Sequence, residues 1–226
     1  MTVLNDIFSH ELQQIEKFKK LSILDLIKQA AADLRSAPEI FKFAWALEPF
    51  AVSFHHYNST FLPAVFDGDS MLHKAIRGHA AEDDKHLEWY YDDLVFLNQD
   101  RKPHMINCPS ARVVTGIEKL LSVMKSDGND LGCLAAIESV EETGAVFFKE
   151  CADASNAISD RNLKYFSQIH FDRETGSLLG THTGYGLKEY LSEHDPTQDQ
   201  IYRAMDAIDF VFKLFTQMLD DIACEA

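Results

Sequence analysis

The sequence predicts an all-α protein, a single helical bundle of about seven helices that occupies residues 1–226. Apolar residues recur with helical period through long segments, and no alternating strand pattern extends beyond a few residues. The 226 residues include only ten glycines and six prolines, and these cluster between the periodic segments. The length suits one large domain.

Each predicted helix begins at a capping residue and ends near the next turn-forming cluster. Ser36 caps the second helix, Asp69 or Ser70 the third, Ser110 the fourth and Asp130 the fifth. The glycine-rich "GTHTGYG" bends the chain before the last helix. The predicted helices span about 3–35 (with Ser22 as a point of interruption), 36–66, 69–98, 110–125, 130–155, 160–179 and 196–222.

Charge and cysteine usage narrow the classes of function. The 21 basic and 36 acidic residues give a net charge of −15, which disfavours nucleic acid and anionic membranes as partners and leaves metal cations and small molecules. No apolar run reaches membrane-spanning length, and "MTVLNDIFSHELQQ" lacks the pattern of a signal peptide. The four cysteines are far apart without a CxxC pair, so we expect reduced thiols and a cytoplasmic location.

Three predicted helices carry metal-binding residue types on the face that their apolar residues mark as buried. On the third helix, a period of 3.6 residues places these side chains within about 60° of one another, between apolar turns. The candidates are His79, Asp83 and His86 on the third helix, Glu138 on the fifth, and His170 and Glu174 on the sixth. Buried imidazoles and carboxylates are costly unless they are paired or bind a metal. The mixture favours a divalent metal such as iron or manganese, although each histidine taken singly is explained better as an ordinary core or surface residue.

The segments "HAAEDDKH", "LAAIESVEETG" and "IHFDRETGS" resemble the heme-oxygenase-like diiron oxidases. That family includes the CADD-like proteins and is related to the PqqC-like and TenA-like helical proteins. The resemblance extends over nearly the whole chain in length and helix order, and its specific part is these three segments. It implies a heme-oxygenase/TenA-like bundle.

The resemblance also implies a set of metal ligands. Asp83 and His86 fit the family's acidic residue and histidine on the third helix, and Glu138 fits its glutamate on the fifth. His170 and Glu174 fit the start of its His-x3-Asp/Glu-x2-His pattern. The departure is at residue 177, a serine where the pattern has its last histidine, and His79 is the economical replacement. The implied set is His79, Asp83, His86, Glu138, His170 and Glu174. If His79 does not reach the centre, one metal or none is the alternative.

The function that the resemblance implies is that of an oxidoreductase, an oxidase or oxygenase that activates O2 on a small organic substrate. Two iron ions would be the cofactor, with manganese as the alternative, and a homodimer is expected by analogy with the fold. Tyr57, in "FHHYN", and Tyr90, one turn beyond His86, are candidate catalytic residues. The alternative for each tyrosine is packing in the core.

Two other functions stay open. A TenA-like hydrolase would use Cys133, five residues before Glu138, as its nucleophile, although this thiol is also explained as a small buried residue. A degenerate member of the fold would bind a small molecule or a partner without catalysis, which Ser177 in place of a ligand histidine favours.

Overall fold

The computed structural model describes residues 2–82, 86–99, 109–177 and 185–225. Every regular element in these ranges is helical and none is a strand, which confirms the all-α prediction. A 3₁₀-helix, Ala44–Leu47, directly precedes the α-helix that begins at Glu48, and a π-helix, Tyr57–Phe61, directly follows that helix. The helices are α1 Thr2–Phe18, α2 Ser22–Ala32, α3 Ala37–Ile40, α4 Glu48–His56, α5 Leu62–Val65, α6 Met71–Glu82, α7 His86–Phe96, α8 Pro109–Ser126, α9 Asp130–Ala157, α10 Gln168–Ser177, α11 Leu187–Glu193 and α12 Gln198–Glu225.

Across the described ranges the helices outnumber the predicted seven for two reasons. Predicted helices are divided, and α11, Leu187–Glu193, lies between the sixth and seventh predicted helices, where no helix is predicted. The first prediction is split between Phe18 and Ser22, at the serine that the sequence marks as an interruption. The second is divided into α3, the 3₁₀-helix, α4, the π-helix and α5. The sixth begins at Gln168, so the predicted start at Asp160 is wrong.

The late start of α10 has a local cause in residues 158–167. Ser159 has a φ of 55°, a left-handed conformation that ends α9. The backbone N–H groups of Lys164 and Phe166 then donate to the carboxylate of Asp93 on α7. Because these amides bind a side chain instead of carbonyls one turn earlier, the segment stays irregular until Gln168.

Two of the predicted capping residues are wrong and the others precede a helix as expected. The helix α8 begins at Pro109, so Ser110 lies inside it, and its hydroxyl donates to the Ala46 carbonyl at 3.0 Å instead of capping the helix. Ser36 caps α3 as predicted, and its N–H and hydroxyl both donate to Glu39 at 2.9 and 2.6 Å. Asn129, not the predicted Asp130, caps α9, and its side-chain oxygen accepts from the Gly132 N–H at 3.2 Å. A Cβ at position 132 would lie 2.5 Å from Asn129 Nδ2, so this close cap requires glycine.

A ladder of aromatic rings runs along α4 and the π-helix. The successive ring centroids of Phe50, Phe54, Tyr57 and Phe61 are 5.3, 5.6 and 5.7 Å apart, and each pair is stacked. Within the π-helix the Leu62 N–H bonds to the Tyr57 carbonyl, five residues earlier. The next residue is a proline, which has no N–H and crowds the preceding turn, and this accounts for the wider turn.

The helix α9 lies at the centre of the bundle. It packs against α1, α2, α8, α10, α11 and α12, and buried residues occur all around its circumference. Ser139, Glu141 and Thr143 are therefore enclosed by the protein together with the apolar residues of this helix. None of the described helices combines the length and the apolar character that crossing a membrane requires.

Candidate functional site

A cavity of about 50 Å³ lies beside α9, between α4, α7, α10 and α12. Its wall is mostly apolar and rich in phenylalanine, including Phe50, Phe54, Phe147, Phe148 and Phe215. Five side chains in the wall carry ionisable groups: His55, His86, Glu141, Tyr165 and His170. A small enclosed space with a few converging polar groups is the form that ligand and catalytic sites take.

His86 and His170 meet in this wall, although 84 positions separate them in the sequence. Their ring centroids are 4.4 Å apart, and the two residues are only 6% and 1% exposed. Trp89 lies 5.4 Å from the His86 ring, and Phe148 lies 3.8 Å from that of His170. The structure thus brings together two of the histidines that the sequence analysis assigns to a metal centre, in an aromatic environment.

The orientation of His170 is fixed by the backbone before α10. Its Nδ1 lies 2.7 Å from the carbonyl oxygen of Tyr165. A carbonyl can only accept a hydrogen bond, so the neutral ring carries its proton on Nδ1 and its lone pair on Nε2. This is the tautomer that metal-binding histidines adopt when their other nitrogen donates to a carbonyl.

Asp93, which the sequence analysis did not single out, holds that segment of backbone in place. Its fully buried carboxylate accepts from the Lys164 N–H at 2.8 Å and from the Phe166 N–H at 2.9 Å. These amides flank Tyr165, whose carbonyl receives the His170 proton. Burial raises the pKa of Asp93 to about 6, although these backbone hydrogen bonds oppose the shift. Asp93 follows His86 by seven residues, which places both on one face of α7 and is a signal that could have identified it.

The carboxylate that α9 contributes to the cavity is Glu141. Its Oε1 lies 2.9 Å from Nε2 of His79 on α6, and both residues are buried, at 3% and 2% exposure. His79 therefore reaches the neighbourhood of the cavity through Glu141. Sequence periodicity did not identify Glu141, because a helix that is buried all around gives no apolar face against which to judge it.

Glu138, the predicted ligand on α9, lies at a different contact. Its Oε1 accepts a hydrogen bond from the Leu187 N–H at the start of α11, at 2.7 Å. Burial, together with the nearby charges of Glu11 and Glu142, raises the pKa of Glu138 to about 8, although the hydrogen bond from Leu187 opposes the shift. Burial, followed by the charge of Glu142, raises the pKa of Glu11 to about 7. The structure thus places Glu138 in a group of carboxylates between α1, α9 and α11, and it brings Glu141 to the cavity.

This group of carboxylates predicts that stability falls as the pH rises. The folded-state pKa values of Glu138 and Glu11 lie above the ordinary value of 4.5, so the folded protein favours the protonated carboxyl groups. The stability that these two groups contribute is therefore fully present below about pH 4.5 and is lost as the pH rises towards 8. Glu138→Gln, which keeps an oxygen for the Leu187 N–H, should flatten this dependence. At pH 8 we expect the free energy of unfolding of this variant to exceed that of the wild type by about 2 kcal/mol. This is less than the full pKa difference implies, because Glu138 is only partly buried.

Urea unfolding of both proteins between about pH 5 and 8.5 measures this effect. Glu16→Gln is the matched control, since Glu16 is exposed on α1 and lies 2.8 Å from Lys19. A stability of the wild-type protein that rises across this pH range would contradict the prediction.

The two tyrosines proposed as catalytic both pack in the interior. Tyr57 is stacked between Phe54 and Phe61 in the aromatic ladder. Tyr90 is fully buried on α7, and its hydroxyl donates to the Ala44 carbonyl at 2.7 Å, which attaches α7 to the 3₁₀-helix. The described part of the cavity wall includes neither ring.

Two predicted ligands fall outside the described residues. Asp83 lies between α6 and α7, in 83–85, and for Glu174 only the backbone, within α10, is described. Judged on the rest, no three His, Cys, Asp or Glu side chains of the described ranges form a group that could hold a metal by itself. His86, His170 and Glu141 nevertheless offer two imidazoles and a carboxylate to one cavity, and this donor chemistry fits iron or manganese.

Cys133 has the environment of an inert thiol. It is fully buried on α9, and its Sγ lies 4.0 Å from the carbonyl oxygen of Leu121. Burial raises the pKa of Cys133 to about 12, so the thiolate needed for nucleophilic attack is scarce at neutral pH.

Comparison of the sequence with known families and curated proteins gave no match: no protein-family model matches this chain, and none of the curated proteins is similar to it. The specific part of the resemblance to the heme-oxygenase-like diiron oxidases therefore remains the three short segments.

Proposed function

We propose that the protein is a metal-dependent oxidase or oxygenase that acts with dioxygen on a small organic substrate in this cavity. The observation that supports it best is that His86, His170 and Glu141 all line one aromatic-walled space. Each comes from a different helix, and all three are buried. Bundle cores build non-heme metal sites in this way, from side chains on facing helices.

The residues at this centre would have two roles, binding the metal and orienting a ligand. His86, His170 and Glu141 would hold the metal, completed by Asp83 and Glu174, and His79 would orient Glu141. A bound iron or manganese ion would supply the redox chemistry with dioxygen.

The surrounding residues prepare the site. The Tyr165 carbonyl holds the His170 proton on Nδ1, so Nε2 keeps the lone pair that a metal requires. The phenylalanines exclude water and bind the apolar part of a substrate. The cavity volume of about 50 Å³ exceeds what one water needs, so a molecule as small as dioxygen fits without rearrangement.

Anaerobic loading with Fe(II), removal of loose iron and counting of the bound metal tests the proposal. We expect about two irons per chain if the whole ligand set binds metal, as in carboxylate-bridged bundles. We expect about one iron per chain if the serine at position 177, which replaces a ligand histidine, removes one of the two sites. An optical change should follow when dioxygen is added. His170→Ala should lose the iron, whereas His194→Ala, at an exposed histidine on α11's C-terminal side, should retain it. A wild-type chain without tight iron or manganese would overturn the proposal.

The second candidate is a metal-free binding protein for a small molecule. The contact between His79 and Glu141 favours it, because the imidazole and the carboxylate already stabilise each other without a metal. The same loading experiment separates the two candidates. The hydrolase alternative has no such support, given the buried thiol of Cys133 with its raised pKa.

A further inference from the structure

One residue of the cavity wall has a buried polar atom that the proposed metal centre does not use. His55, on α4, lines the cavity, and its Nδ1 is buried. No described residue offers this nitrogen a hydrogen bond. Buried polar groups in native proteins are nearly always paired, so an exception in a cavity wall points to a ligand or a water.

The neighbouring histidine has a different environment. His56 is exposed and lies near Glu118 on α8. Burial raises the pKa of Glu118, and the charge of His56 opposes that shift. The two adjacent imidazoles of "FHHYN" therefore face different surroundings, and only His55 lines the cavity.

The rest of the wall limits what can bind to His55. On the same helix Phe50 and Phe54 contribute rings to the cavity, and Phe215 and Met218 contribute apolar surface from α12. A second negative charge is disfavoured beside Glu141, in a chain with a net charge of −15. A ligand that suits this space is uncharged and mostly apolar, with one polar group for Nδ1.

We propose that His55 recognises a hydroxyl group on a small, slender, otherwise apolar substrate. A hydroxyl both donates and accepts, so it satisfies Nδ1 in either tautomer, whereas a carbonyl satisfies only a protonated Nδ1. A slender substrate is required because a cavity of about 150 Å³ is the size that holds benzene, three times the volume present here. The substrate class is thus an aliphatic alcohol, with its hydroxyl at His55 and its carbon chain among the phenylalanines.

This inference rests on the proposed function in one respect: both assume that the substrate binds in this cavity. Its test uses the full chain after treatment with a chelator and requires no metal and no turnover. Failure to bind iron and failure to recognise a hydroxyl are therefore separate results.

The test compares 1-propanol with 1-chloropropane, two probes of similar size of which only the first has a hydroxyl. Titrations followed by amide and histidine-ring ¹⁵N NMR give both affinities and report on Nδ1 directly. We expect the alcohol to bind about fivefold more tightly, the value of one hydrogen bond, and to shift the His55 ring signal.

His55→Phe, which keeps the ring shape, should equalise the two affinities, and His56→Phe should leave the preference unchanged. Thermal unfolding checks that both variants fold. If His55→Phe does not fold, the smaller apolar His55→Leu takes its place and should likewise equalise the two affinities, so a preference that survives in it counts against the proposal. The proposal would be overturned by equal affinities in the wild-type chain or by a preference that survives in His55→Phe. It would also be overturned if neither probe binds near its solubility limit, because the cavity then holds only water.

Discussion

Glu141→Gln should lower the affinity for ferrous iron by about a hundredfold or more, and Glu138→Gln should change it by less than about twofold. Glu141 lines the cavity together with His86 and His170, whereas Glu138 is bonded to the backbone of Leu187. A neutral amide is a poor metal ligand beside a carboxylate, so the substitution matters only where a metal binds. Competition with a chromogenic chelator under anaerobic conditions measures both affinities.

The two substitutions are matched controls for each other. Each converts a carboxylate of α9 to an amide of the same shape, one turn apart, and each keeps an oxygen for its observed partner: His79 Nε2 for residue 141 and the Leu187 N–H for residue 138. Circular dichroism and thermal unfolding establish that both variants fold. If iron is lost from Glu138→Gln and kept in Glu141→Gln, the ligand implied by the family resemblance is the correct one.

The sequence could predict the helical class of the fold and part of the candidate site. Apolar periodicity is a local signal, and it was sufficient to place His86 and His170 on interior faces of their helices. It was insufficient on α9, because this helix packs against neighbours on all sides and both glutamates lie in protected positions. The choice between Glu138 and Glu141 is made by α6 and α11, which are distant in sequence.

Other features depend on pairings that no periodicity contains. The amides that Asp93 accepts from lie 71 and 73 residues further along the chain. The sequence of α7 can therefore place Asp93 on the face of His86, but it does not show which groups bind the buried carboxylate. The same pairing explains why α10 begins at Gln168. The division of the second predicted helix is likewise tertiary in part, since the 3₁₀-helix is held by the Tyr90 hydroxyl through Ala44.

Asp93→Leu should lower the free energy of unfolding by about 3 kcal/mol. The substitution leaves the buried N–H groups of Lys164 and Phe166 without their acceptors, at about 1–3 kcal/mol each. Relief from burying a charge, which raises the pKa of Asp93 to about 6, offsets part of this cost near neutral pH. Urea unfolding at pH 7 measures the change. Asp92→Asn is the control, because Asp92 is exposed and bonds to the Lys164 side chain. The stability of this variant should stay near that of the wild type.

The same variant tests whether Asp93 positions His170 or only supports the fold. Without the carboxylate, the segment around Tyr165 loses the two bonds that fix its carbonyl, and the hydrogen bond from His170 Nδ1 should weaken. In the wild type, we expect a downfield imidazole N–H resonance from His170, because that proton is buried and bonded. Its loss in Asp93→Leu and its retention in Asp92→Asn would show that the orientation of His170 depends on Asp93. If the resonance persists while stability falls, Asp93 is structural only, and the Tyr165 carbonyl is held by the packing of its own ring against Tyr90 and Phe148, at 5.2 and 5.1 Å.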